Sequence, residues 1–351
     1  MVFSMGEHLE DYESRFTKRP ISNKERAKSK KFAKIGESRS EEIFVDAVDD
    51  KSRAIVVEGS HGRFKIFFND KILSNVKLRR GIDFKYSRFI VPGDYVRLAK
   101  DDLGYCISNI QKRTSKLSRR DNARMGANMA ECEHVIAANI DAAVAVVSAK
   151  NPPLHAKVID RYLIMIQSSN IEPIICMNKA DLAEGHEDGL LKEYERLGIK
   201  CVKTSTVKNE GIENLKKIIS GKMVVFIGHS GVGKSSLINA ISGNLIAKEG
   251  EVSEKTGKGK HTTTSSVLYK WKENSCIIDT PGIRAFGMWG ISKDELHLYF
   301  PEFDKYITLC KYDNCLHNHE KETDCGVKLA LSKGELSKNR YDSYIRILEE
   351  L

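Results

Sequence analysis

A chain of 351 residues with 41% hydrophobic content is long enough for two or three domains with separate cores, which excludes a fibrous or wholly disordered protein. Fifty-seven Lys and Arg against 48 Asp and Glu leave a formal charge of +9, a balance that favours a polyanionic partner or simply a well-solvated surface. No apolar run reaches the roughly 20 residues of a membrane helix, and MVFSMGEHLEDYE carries acids where a signal peptide has basic and then apolar residues, so a cytoplasmic protein without membrane contact is expected.

Residues 1–40 read as a basic mobile tail. Between Arg15 and Lys34 there are nine basic residues, one acid and few large apolar side chains, a composition that builds no core and suits either RNA contact or plain solubility. From 41 to 115 the texture changes to short alternating segments, AIVVEG, RFKIFF, DYVRLA and GYCISNI, separated by turn residues such as Asn69-Asp70 and Pro92-Gly93-Asp94. Regularly spaced short strands of this kind predict a small closed β-barrel, for which the oligonucleotide-binding (OB) fold is the natural candidate.

Beyond a basic connector, KRTSKLSRRDNARMG, the strands are apolar throughout: IDAAVAVVSA, EPIICMN and KMVVFIG. They alternate with amphipathic stretches such as VIDRYLIMIQSS and EGIENLKKIIS, the pattern of a parallel sheet covered on both faces. Residues 116–290 are therefore expected to form one α/β domain. Residues 291–351 hold a Cys/His cluster and end in a helix with Tyr341, Tyr344, Ile345, Leu348 and Leu351 on one packing stripe.

Within the α/β region, Asn178-Lys179-Ala180-Asp181 follows EPIICM at the carboxyl end of a strand, where open α/β sheets bind ligands. The Asp181 carboxylate suits the N1 and N2 donors of guanine, which adenine lacks, so the motif selects GTP over ATP. Lys179 is expected along the base, Asn178 as a brace between loops, and the turn Thr204-Ser205-Thr206 as the other cover of the base.

The phosphate-binding loop comes later: Gly228-His229-Ser230-Gly231-Val232-Gly233-Lys234-Ser235-Ser236 follows the apolar run Met223 to Ile227. Bare backbone at its glycines lets successive N–H groups close round phosphates at the start of a helix. Lys234 is expected to reach the β- and γ-phosphates, and Ser235 to hold Mg²⁺.

A polar, glycine-rich loop from 248 to 266 includes Lys260-His261-Thr262-Thr263-Thr264. This is the texture of a switch ordered by Mg²⁺ and the γ-phosphate. Thr263 is the candidate for both contacts, with Thr262 and Thr264 as alternatives in register. Asp279-Thr280-Pro281-Gly282 ends the strand SCIID, placing a carboxylate for Mg²⁺ and the Gly282 N–H for the γ-phosphate. Many GTPases carry a water-orienting glutamine after this motif, but here the residue is Ile283, which leaves His261 as the nearest donor in sequence.

Eight cysteines in a reducing compartment point to free thiols or metal ligands. Cys106, Cys132, Cys176, Cys201 and Cys276 are scattered and read as small core residues, whereas Cys310, Cys315 and Cys325 cluster with histidines in a pattern that favours a metal.

The base-reading loop precedes the phosphate loop, the reverse of the common GTPase order. With a barrel before them and the Cys/His cluster after, the chain resembles the circularly permuted, small ribosomal subunit-dependent GTPases (the RsgA or YjeQ family). The likeness spans about residues 41 to 345 and also rests on AANID at 137–141, DRYL at 160–163, GHSGVGKSSL, C-x-x-x-x-C-x-H, and a KHTTT that looks like the family's RHTTT.

The resemblance implies a multidomain fold: an N-terminal OB-fold barrel, a permuted P-loop GTPase domain and a C-terminal zinc-binding helical domain. It also implies hydrolysis of GTP to GDP and phosphate in late small-subunit maturation, with turnover stimulated by the ribosome and coupled to release. Small-subunit rRNA is the implied partner, a monomer is expected, and His261 is implied as the residue that assists hydrolysis. Zinc ligands carry over as Cys310, Cys315, His317 and Cys325. Spacing departs here, because the family usually has about five residues between its histidine and last cysteine while seven follow His317. His319, with five, competes, but His317 is kept because its distance from Cys315 matches. Ile283 motivates one rival, a nucleotide-gated rRNA-binding scaffold with little turnover. A GTPase of membrane transport lacks a membrane or lipidation signal in this sequence.

Overall fold

The computed structural model describes residues 44–48, 52–80, 82, 90–120, 133–243, 266–272, 274–280 and 291–351. Five strands, β2 (Arg53–Ser60), β3 (Arg63–Phe68), β4 (Lys71–Leu78), β5 (Tyr95–Asp101) and β6 (Gly104–Gln111), close into a barrel through pairing of β5 with β6. A short β1 (Phe44–Val45) lies parallel to β6. Alternation fills the interior: Phe64 and Ile66 of β3 point inward with Val56, Val96 and Ile107, while Arg63 and Lys65 face water. Sequence patterning missed β4, whose only fully buried residue is Val76.

The basic connector contains a strand of its own. β7 (Lys116–Arg120) pairs antiparallel with β8 (Glu133–Ala138), and Asn139 just beyond donates to the Gly93 carbonyl of the barrel at 2.9 Å.

A second sheet follows, built from β9 (Ala142–Ser148), β10 (Glu172–Asn178), β11 (Lys200–Lys203), β12 (Met223–Ile227), β13 (Val267–Lys272) and β14 (Ser275–Asp279). Its order is β11-β10-β9-β12-β14-β13, parallel except for the edge strand β13. Every residue of β9 and β12 is buried, as expected of central strands covered on both faces. On one face lie α1 (Ala156–Ser168) and α2 (Glu187–Arg196), packing Ile159, Leu163, Leu191 and Tyr194. On the other lie α3 (Ile212–Ile219) and α4 (Lys234–Ser242), with Leu215, Leu237 and Ile241.

The last segment is a small helical unit of 3₁₀ turns, α5 (Asp304–Ile307), α6 (Gly326–Ser332) and α7 (Lys338–Glu350). Its core joins Phe300, Phe303, Tyr344 and Ile347 to Ile164 of α1. Tyr344 and Leu348 of the expected stripe are buried, and Ile347, which the stripe omitted, is buried beside them. No described helix is long and apolar enough to cross a membrane.

Candidate nucleotide site and metal cluster

Because β10, β12 and β14 run parallel, their carboxyl ends bring the loops at 178–181, 228–236 and 279–280 to one edge of the sheet. The phosphate loop leaves β12 and enters α4 through Gly233, whose φ of +92° is left-handed. A Cβ on Gly233 would sit 2.3 Å from the Asn178 side-chain nitrogen, so an alanine there is excluded twice. A Cβ on Gly228 would sit 2.4 Å from the Val146 carbonyl of β9. His229, Ser230, Gly231, Ser235 and Ser236 are exposed and Val232 is buried as the loop's anchor. Lys234 Nζ lies 3.0 Å from the Gly228 carbonyl, so its ammonium spans the loop.

Asn178 is 1% exposed and joins the two motifs: its Nδ2 donates to the Val232 carbonyl at 2.9 Å, and its Oδ1 accepts from Thr204 Oγ1 at 3.2 Å. Thr204 also accepts the Ala180 N–H at its carbonyl, 3.0 Å away. Lys179, at a left-handed φ of +57°, donates to the Asn151 carbonyl. Asp181 accepts from Ser205 Oγ at 2.5 Å, which fixes one of its carboxylate oxygens. The roles of Thr204 and the Asn151 carbonyl were not read from sequence; only the position of Thr204 in the turn that follows the strand KCVK hinted at the first.

Asp279 ends β14 half-buried. Burial pushes its carboxyl up, against the opposing pull of Lys234 and the Thr280 N–H. Thr280 is buried, with its hydroxyl 3.3 Å from the Phe226 carbonyl of β12. His229 is held below the ordinary imidazole range by burial and then by Arg161 and Lys234. Its ring lies 5.8 Å from that of Tyr162 on α1. His261, Thr262, Thr263, Thr264, Gly282 and Ile283 lie outside the described residues, as does Cys132. Cys106, Cys176 and Cys276 are buried and Cys201 is half-buried.

In the C-terminal unit, ligand atoms of Cys310, Cys315, His317 and Cys325 all lie within 4.8 Å of one another. The three sulfurs stand 3.6, 3.3 and 3.5 Å from His317 Nδ1. Tetrahedral zinc, with Zn–S about 2.3 Å and Zn–N about 2.0–2.1 Å, separates such donors by about 3.5 Å, so the cluster has the size and donor chemistry for that ion. His317 reaches it through a left-handed φ of +55°, and its carbonyl accepts from Tyr341 at 2.6 Å. Tyr344 holds the adjacent Leu316 carbonyl at 2.9 Å, and Glu320 accepts the Leu316 and Asn318 N–H groups at 2.8 Å each. His319 is exposed and outside the cluster. Burial pushes the Cys315 thiol far up, which opposes a thiolate that a bound dication would favour, and pulls His317 down to about 4, which keeps its imidazole in the neutral form that ligates metals.

The family model for RsgA GTPase matches residues 110–289, just over half of the chain. The chain belongs to the RsgA GTPase family. It is 40% identical over 244 residues to the small ribosomal subunit biogenesis GTPase RsgA of Flavobacterium psychrophilum, covering 67% of this chain and 73% of that one. The small ribosomal subunit biogenesis GTPase RsgA 2 of Bacteroides thetaiotaomicron is 34% identical over 306 residues, or 85% and 96% of the two chains.

Among solved structures, YjeQ from Thermotoga maritima matches with a TM-score of 0.66 at 30% identity, over 86% of this chain and 98% of that one. YloQ, a circularly permuted GTPase, matches at 0.62 and 29%, over 87% and 97%. The barrel followed by a permuted GTPase sheet, expected from sequence, is thus the architecture of this chain.

Proposed function

We propose that this chain binds GTP across the 178–181 and 228–236 loops, hydrolyses it to GDP and phosphate, and acts in late small-subunit maturation, with hydrolysis stimulated by the subunit and coupled to release. The observation that carries this is the Asn178 bridge to Val232, which ties a guanine-type loop to a phosphate loop 54 residues later in the chain. The names of the RsgA relatives support the ribosomal assignment.

Asp181, aligned by Ser205, would accept the two guanine donors, and Lys179 would flank the base. The N–H groups of the loop from Gly228 to Ser236 and the Lys234 ammonium would hold the phosphates. Ser235 and Asp279 would hold Mg²⁺, with Thr263 contributing from the 248–266 loop; when bound, the cation neutralises charge between the β- and γ-phosphates. Gly282 would meet the γ-phosphate, and His261 would orient water in place of the glutamine that Ile283 replaces. Cys310, Cys315, His317 and Cys325 would hold a structural Zn²⁺ with no open position for chemistry.

We assign residues 1–40 to the tail, 41–115 to the barrel, 116–290 to the GTPase domain and 291–351 to the zinc unit, in a cytoplasmic monomer without membrane contact. The tail, barrel and zinc unit form the rRNA-facing surface. Phosphate release measured during titration with purified small and large subunits tests the reading. Turnover rises with small subunits alone, and a rate that stays near zero with both supports a scaffold instead.

A further inference from the structure

At the opposite end of the sheet from the nucleotide loops, a crevice of about 400 Å³ opens between the barrel and the starts of β9, β12 and β14. Arg53, Phe67, Phe68 and Tyr95 line it from the barrel; Asp141 and Asn274 line it from the sheet. Strands of five to seven residues separate it from the nucleotide loops by roughly 17–23 Å, so the two sites share no side chain.

The crevice combines flat apolar surfaces with positive charge. The Arg53 guanidinium lies 3.7 Å from the Tyr95 ring centroid, and Lys270 Nζ lies 4.4 Å from that of Phe67 while pairing with Asp70 at 3.0 Å. Outside the lining, Phe68 meets Tyr105 edge-on at 5.7 Å and Lys100 stands 5.1 Å from the Tyr105 ring, so Lys100 and Lys270 flank the crevice without lining it. Amides of Asn69 and Asn274 and the carboxylate of Asp141 supply hydrogen-bonding groups at the edge. A phosphate would be repelled by Asp141. A nucleobase, with apolar faces and a polar rim, uses all three kinds of group.

We propose that this crevice accepts one unpaired base of an RNA strand, with Lys100 and Lys270 facing its flanking phosphates. The proposal rests on the reading of the chain as an rRNA partner and adds the place and mode of contact. Fluorescence anisotropy on the full chain tests it by comparing an unstructured labelled RNA 10-mer with an abasic ribose-phosphate 10-mer.

The base-bearing strand is expected to bind about tenfold more tightly, the size of one stacked base. Phe68→Leu, which keeps apolar bulk but removes the ring, and Asn274→Gly, which removes the amide without adding charge and tolerates the left-handed φ of +55°, should each cut that preference at least threefold. Neither should change abasic-strand affinity or GTP binding, which also serves as the folding check. Equal affinity for the two strands, or a preference that both variants retain, overturns the proposal. Neither result alters the turnover test of the GTPase reading.

Discussion

Asn178 shows what a single amide does when it is buried between two loops: one end donates to Val232 and the other accepts from Thr204, so neither loop shifts without leaving a polar group unpaired. Asp181 beside it is the residue proposed to carry base selectivity. Asp181→Ala should weaken GTP by roughly ten- to 150-fold, the loss of about 1.5–3 kcal/mol for hydrogen bonds to a charged acceptor. Titration with a fluorescent guanine nucleotide checks this, and a change below threefold would remove Asp181 from the base contact.

The loops that carry Asp181, Lys234 and Ser235 were legible in sequence because each motif is written within a few consecutive residues, and the parallel strands bring them to one edge of the sheet. The choice of His317 over His319 rested in sequence only on the distance of His317 from Cys315, and the cluster contains His317. This placement depends on the left-handed backbone at residue 317, which turns that imidazole toward three sulfurs while its neighbour two places on faces water.

At the level of elements, α1 touches both halves of the machinery. Tyr162 approaches His229 of the phosphate loop, while Asp160 and Ile164 meet the C-terminal unit. Arg340 of α7, 3% exposed, is clasped between Asp160 and Glu302, and Tyr194 donates to Asp160 at 2.7 Å. Burial works against the guanidinium charge, but the two carboxylates outweigh it and hold Arg340 ionised. Arg340→Ala should cost about 3–5 kcal/mol, because it leaves buried carboxylates without their cation. A urea midpoint unchanged from wild type would show the network to be dispensable.

The metal cluster gives a second test. Plasma mass spectrometry should find about one zinc per chain, and Cys325→Ser should lower both that ratio and the melting temperature, since bound metal contributes directly to folding. Full stability without metal would make the thiols merely packed. The central strands β9 and β12 were legible because they are apolar throughout. β4 was not, since it is mostly exposed and shows no clean alternation. The Asp160–Arg340 pair spans 180 residues, beyond any local pattern.

For the whole molecule, the permuted order runs the proposed switch segments, 248 to 290, directly into the unit that holds the Cys/His cluster. In the proposed function, nucleotide state sets the pose of the flanking units through this run. A non-hydrolysable GTP analogue should give tighter binding to small subunits than GDP by about five- to 150-fold, the ordinary range for coupling between sites. Sedimentation with labelled protein measures it, and equal affinities would end the coupling idea.

The β13–β14 hairpin is where such coupling has its shortest path. It ends at Asp279 beside Lys234, turns at Asn274, and ties Lys270 to Asp70 on the barrel. Burial fixes the alignment of β14 against β12, and a slip by one residue would turn Cys276 and Ile278 to the wrong side. In the proposed coupling a displacement at Asp279 would be carried along this hairpin, with that carboxylate at one tip and the seam of the barrel at the other.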